Sequence, residues 1–170
     1  MTRWTLIPLA CAVLALSSCA AGAATPAASP AEVLLDPAKV PGGPWRATVT
    51  DSVRWSALDE AFIPCGKRVI APEQATVRLR LFTSAGGASL HELVVSGVDP
   101  VQAFKRFYAE CGAVGKVSSE PGPQHVARHD GKVEIASYTE RFLVVVSAPD
   151  TIEDLSAVAD AATAQASEGD

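Results

Sequence analysis

No excess of basic residues marks this 170-residue chain: 14 Lys and Arg face 19 Asp and Glu, for a formal charge of −5. That balance argues against a nucleic-acid partner, which favours a basic patch, and against a polybasic membrane-binding surface. Catalytic motifs are missing as well. There is no Gly-x-Ser-x-Gly elbow, no phosphate-cradling glycine loop and no His-Glu-x-x-His. The chain therefore offers no ready nucleophile or metalloprotease constellation. Histidines number three. His125 and His129 stand four apart, which on a strand puts them on one face about 13 Å apart, too far for one metal ion. His91 is isolated beside Glu92. The three read as surface or strand-edge residues, with no metal site and no cofactor. Asp59 and Glu60, beside Trp55 and Phe62, read as an exposed acidic helix face rather than an acid–base pair. The chain reads as non-enzymatic.

The N-terminal apolar run is also too short for a span. Leu6–Leu16 holds about 11 residues, where a bilayer needs roughly 20. Preceded by Met1-Thr2-Arg3 and followed by small residues, it has the pattern of a secretory signal peptide. Leu16-Ser17-Ser18-Cys19 resembles the lipobox of bacterial lipoproteins, in which the chain is cut before the cysteine and the sulfur is acylated. The resemblance implies a signal peptide over 1–18 and a lipid on Cys19. It also implies a lipid-anchored location at the cell membrane, facing the extracytoplasmic side. Two or more acyl chains anchor stably, because each buried methylene contributes about 0.8 kcal/mol. Ordinary secretion with cleavage after Ala24 is the alternative. Ala20–Pro30, AAGAATPAASP, has nothing to bury, so 19–31 reads as a flexible tether.

Cysteine is sparse, and the address makes it sparser. Of four cysteines, Cys11 leaves with the signal and Cys19 takes the lipid. Cys65 and Cys111 remain, and an even pair in an exported chain usually forms a disulfide. It would close a loop of about 46 residues, contributing on the order of 4 kcal/mol in the chain-entropy model. Two separate buried thiols are the alternative.

The best-defined stretch is Asp99–Gly112, DPVQAFKRFYAECG. Asp99 suits an N-cap, Pro100 the first helical position, Gln102 the capping-box position and Gly112 the stop. Val101, Phe104, Phe107, Tyr108 and Cys111 then share an arc of about 120°. Ahead of it, Thr76–Phe82 alternates as a half-buried strand, Ser84–Ala88 turns, and Leu90–Val98 returns. The register that reconciles these two strands sets Leu79 opposite Leu93 and Arg80 opposite Glu92. The latter pair is expected on the wet face, contributing well under about 1 kcal/mol. Behind the helix, Gln124–His129 and Lys132–Thr139 flank Asp130-Gly131, a hairpin signal. Phe142–Ser147 is nearly all apolar and reads as a central strand, and Asp150–Ala166 reads as a helix. The sum is one α+β domain over 32–166, an antiparallel sheet with helices packed on it in the order ββαβββα. A disordered tail, 167–170, follows. Between Trp45 and Pro72 the pattern is weak, with a strand at Thr48–Val53 and a short helix at Ser56–Phe62 as options.

Leu34-Leu35-Asp36-Pro37-Ala38-Lys39-Val40-Pro41-Gly42 resembles an opening common in actinobacterial extracytoplasmic sensor-type domains. Pro64-Cys65-Gly66 and Phe104–Cys111, with a hairpin between them, are similar to the disulfide pair of those domains. The order resembles that in the extracellular sensor domains of some membrane serine/threonine kinases and in the secreted lipoproteins related to them. The resemblance spans roughly Glu32–Ala166. It implies an α+β fold, an extracytoplasmic address and a ligand-sensing role, and it carries no catalytic residue over. The expected function is therefore a non-catalytic, lipid-anchored binding or sensing module for a small molecule, envelope polymer or protein. A structural or assembly subunit of an envelope complex, acting through a protein interface, is the alternative. Trp45 and Trp55, aromatics on weakly patterned segments, are the candidate ligand contacts, with a role as lids over the core set against that.

Overall fold

The computed structural model describes residues 32–50, 62, 75–113, 118–120 and 124–170. They form one seven-stranded sheet and two α-helices. In chain order these are β1 Trp45–Thr50, β2 Thr76–Ser84, β3 Ser89–Ser96, α1 Pro100–Ala113 and β4 Ser118–Glu120. Then come β5 His125–His129, β6 Lys132–Tyr138, β7 Leu143–Pro149 and α2 Leu155–Ser167. The spatial order is β1-β2-β3-β7-β6-β5-β4, and every neighbouring pair is antiparallel. The α+β class and the expected ββαβββα succession are present. β4 is added at one edge, and at the other β1 overlaps the strand offered at Thr48–Val53 but starts at Trp45.

Local sequence explains most of these elements. Asp99 Oδ1 accepts the Gln102 N–H at 3.0 Å, which caps α1, and the helix runs one residue past Gly112. Asp130 and Gly131 both take positive φ, 48° and 73°, as a two-residue hairpin turn requires, and leave His129 opposite Lys132. Leu79 faces Leu93 and Arg80 faces Glu92, in the expected register. β7, with Val144, Val145 and Val146 all buried, lies in the middle of the sheet.

Each face of the sheet has its own core. Leu79, Leu93, Val95, Leu143, Val145 and Ala136 pack with Phe62 and with Ala103 and Phe104 of α1. Residues of opposite parity, among them Phe82, Leu90, Val94, Ile135, Val144 and Val146, pack with α2 and with Val33–Leu35 and Val40. These last four belong to a strap, Val33–Val40, whose Pro37–Lys39 turn is capped by Asp36. Burying both faces removes the wet face that the alternation in β2 and β3 suggests.

Two expectations are corrected here. The C-terminal helix starts at Leu155 rather than Asp150, because Asp154 sits in the left-handed region at φ 60° and breaks the helical path. Ile152 still packs against the core as a half-buried side chain. The tail does not fray: the Asp170 carboxylate accepts hydrogen bonds from Thr139 Oγ1 and from the backbone N–H groups of Glu140 and Arg141. Arg141 in turn donates to the Gly169 carbonyl at 2.8 Å. A short acidic side chain meeting the N–H groups of a tight turn provides this anchor.

Candidate functional site

The α1-side face is apolar only over part of its area. Period-two alternation puts His91 on the face of Leu93, Ser147 on that of Val145, and Glu134 on that of Ala136. His91 lies directly opposite Ser147, and Glu134 lies opposite Ser147 from the other side. Three polar side chains thus form a row across β3, β7 and β6, the outer two about 10 Å apart at the backbone. One step further along the strands, Lys132 faces His129. His125, by parity, occupies the same face on β5. Ser147 and Glu134 are fully buried, whereas His91, Lys132 and His129 are half-exposed around them.

Burial sets the character of this group. The His91 imidazole is held at about 4, below its usual value, first by burial and then by the Lys132 charge. It is therefore neutral near pH 7, with one nitrogen donating and the other accepting. The Phe62 ring lies tilted against it, 6.2 Å between centroids. His129 Nε2 stands 3.0 Å from Asp130 Oδ2. A neutral imidazole, a hydroxyl and a carboxyl thus stand side by side, a set that contains both hydrogen-bond donors and acceptors. They are not ordered as a hydrolytic triad. In that arrangement the carboxylate braces the far side of the imidazole, whereas here the serine stands between the other two.

This grouping departs from the sequence reading. The three histidines share one face, and His125 is fully buried rather than at a surface or strand edge, since β4 extends the sheet beyond β5. Ser147 and Glu134 carry no sequence signal of their own: Ser147 merely closes a nearly all-apolar run, and Glu134 looks like an ordinary outward position of an alternating strand. Among the described residues, no group of three or more His, Cys, Asp and Glu side chains is placed to hold a metal ion.

The opposite face holds the Arg80–Glu92 pair, and its expected wet position is corrected. Glu92 is fully buried, and both its oxygens lie 3.0 Å from the Leu35 N–H. Arg80 donates to the Leu34 and Leu35 carbonyls. The strap covers the pair, and the pair fixes the strap. Burial raises the Glu92 carboxyl to about 7, against the pull of the Leu35 N–H and the Arg80 charge.

Of the sequence-derived site residues, Trp45 is half-buried against the α2-side core and donates its indole N–H to the Pro41 carbonyl at 3.0 Å. Cys111 falls in the last turn of α1. Cys19, Trp55 and Cys65 lie outside the described residues, and so does the Cys65–Cys111 pairing. The described residues include no helix long and apolar enough to cross a membrane. Comparison with protein-family models, with curated proteins and with solved structures finds no match.

Proposed function

We propose that this chain is a lipid-anchored, extracytoplasmic, non-catalytic binding or sensing module, and that its domain takes a small polar ligand at the His91–Ser147–Glu134 row. The row is the observation that carries the reading. Apolar residues at these three positions would cost less to bury than a hydroxyl, an imidazole and a carboxyl do. Polar side chains set in register across three core strands are what a binding site needs and what a purely structural sheet does not. The lipobox-like Leu16–Cys19 and the tether that follows support the membrane-anchored part.

A thermal-shift panel of amino acids, sugars and small carboxylates tests the reading. A ligand at 100 times its Kd stabilises the native state by about 2.7 kcal/mol. One class of compound should raise the melting temperature of the wild type. The same compound should leave Ser147→Ala and Glu134→Gln unshifted. Equal shifts in all three proteins would move the site elsewhere. No shift at all, together with co-purification of an envelope protein, would favour the assembly-subunit alternative.

A further inference from the structure

At the far end of the α1-side face, where β6 runs into the turn before β7, Tyr138 is the large apolar side chain left exposed among the described residues, at 40%. Its ring is held by Phe104 of α1, 5.0 Å between centroids at a tilt of 52°. It forms one wall of a cleft of about 660 Å³, which Val101, Thr139, Glu140, Ser167 and Asp170 complete.

The charged side chains that line this cleft, Glu140 and Asp170, are both acidic. Glu140 is exposed, and neither its carboxylate nor that of Asp170 is ion-paired among the described residues. The C-terminus of α2, at Ser167, adds the negative end of a helix dipole. The positive end of α1, beside Val101, is already met by the Asp99 carboxylate through the Gln102 N–H. Arg141 is the nearest cation in sequence. Its guanidinium lies 5.3 Å from the centre of the Phe142 ring and donates to the Gly169 carbonyl.

We propose that this cleft binds an organic ammonium ion, with the cation over the Tyr138 ring and Glu140 and Asp170 supplying the counter-charge. An aromatic face attracts a cation through its quadrupole, and an ammonium carrying methyl or methylene groups also suits the apolar wall. The site is separate from the His91 row, so its failure would leave the reading above standing.

Amide NMR of the folded protein, titrated with tetramethylammonium chloride, tests it, with sodium chloride and tert-butanol as the salt and neutral controls. Saturable shifts are expected at Tyr138, Thr139, Glu140 and Asp170 with tetramethylammonium alone. Tyr138→Phe should keep the affinity, while Tyr138→Leu should weaken it about threefold or more. Glu140→Gln, at an exposed position that does not threaten the fold, should also weaken it and decides the matter if Tyr138→Leu fails to fold. Equal shifts with tert-butanol, undiminished binding in Glu140→Gln, or no saturable shift would each overturn the proposal.

Discussion

His91 and Glu92 are consecutive on β3, yet they bury their side chains on opposite faces of the sheet and their ionisations are shifted so that both favour the neutral form. Imidazole drops to about 4 and carboxyl rises to about 7, each mainly through burial. Their effects on stability have opposite signs. Between about 4.5 and 7 the folded protein keeps a Glu92 proton that the unfolded chain has released, so this contribution is full at low pH and lost as pH rises through 7. Between about 4 and 6.5 the unfolded chain holds a His91 proton that the folded protein refuses, so this contribution is full above 6.5 and lost as pH falls through 4. The two oppose each other over the shared window. With only the other group of the two left to titrate, the stability of His91→Gln should fall steadily from pH 4.5 to 7. Glu92→Gln should gain stability from pH 4 to 6.5. Urea denaturation across this range reads both slopes, and parallel profiles for the two variants would contradict the assignment.

The strap provides a second test. Glu92→Ala takes away the acceptor of the Leu35 N–H and leaves this part of the strap held by Arg80 alone. Leaving that buried N–H without its acceptor should cost about 1–3 kcal/mol. Replacing Arg80 and Glu92 together by alanine should cost less than the sum of the two single changes, because both side chains hold the same segment of the strap. Additive losses in the double variant would show that the two act independently. Hydrogen exchange at the Leu35 amide should quicken in Glu92→Ala before the β7 amides respond.

The contrast with the wet-face expectation shows where sequence reading runs out. Alternation in β2 and β3, Asp130-Gly131 and the apolar Phe142–Ser147 run encode register, hairpin and central strand locally, and all three are legible. Whether the second face is dry depends on the strap, whose Leu35 stands 57 residues from Glu92. Nothing near Glu92 announces that. The same holds for the candidate site, since His91, Ser147 and Glu134 meet only once β7 is known to lie between β3 and β6. β4, Ser-Ser-Glu, has no apolar residue to mark it as a strand.

Asp170→Ala should loosen the turn between β6 and β7. It removes an acceptor shared by Thr139 Oγ1 and two backbone N–H groups. The site is partly exposed, so water replaces some of what is lost and the cost should be about 1–2 kcal/mol, near that of one or two ordinary hydrogen bonds. Amide exchange should rise at Glu140 and Arg141. Unchanged exchange there would show that the turn holds itself.

For the anchor, Cys19→Ala should block lipid attachment and cleavage before residue 19. Mass spectrometry of the mature N-terminus reads this in the wild type as an acylated Cys19. An unmodified terminus at Thr25 would end the lipoprotein proposal while leaving export intact.

The Cys65–Cys111 bridge remains a proposal, and the position of Phe62 gives it a physical footing. Phe62 is buried in the same core cluster as Ala103 and Phe104 of α1. Cys65 follows it by three residues, a reach of at most about 10 Å. Cys111 lies seven residues beyond Phe104, about two helical turns along α1. A bridge is thus compatible with the chain lengths on the two sides, and it would fasten the segment carrying Phe62 to the helix. Replacing both cysteines with serine should cost roughly 2–5 kcal/mol, the usual range for a small secreted domain. The loss should appear first around Phe62 and the last turn of α1, since β7 and α2 keep their own apolar contacts on the other face. Because Phe62 lies against His91, its loosening should also admit water there and let the imidazole titrate nearer its ordinary value. An NMR titration of His91 in oxidised and reduced protein reads that change. An unmoved titration, with protection lost evenly over the whole sheet, would mean that the bridge fastens the core itself. Two free thiols in the exported, unreduced protein would remove the bridge altogether.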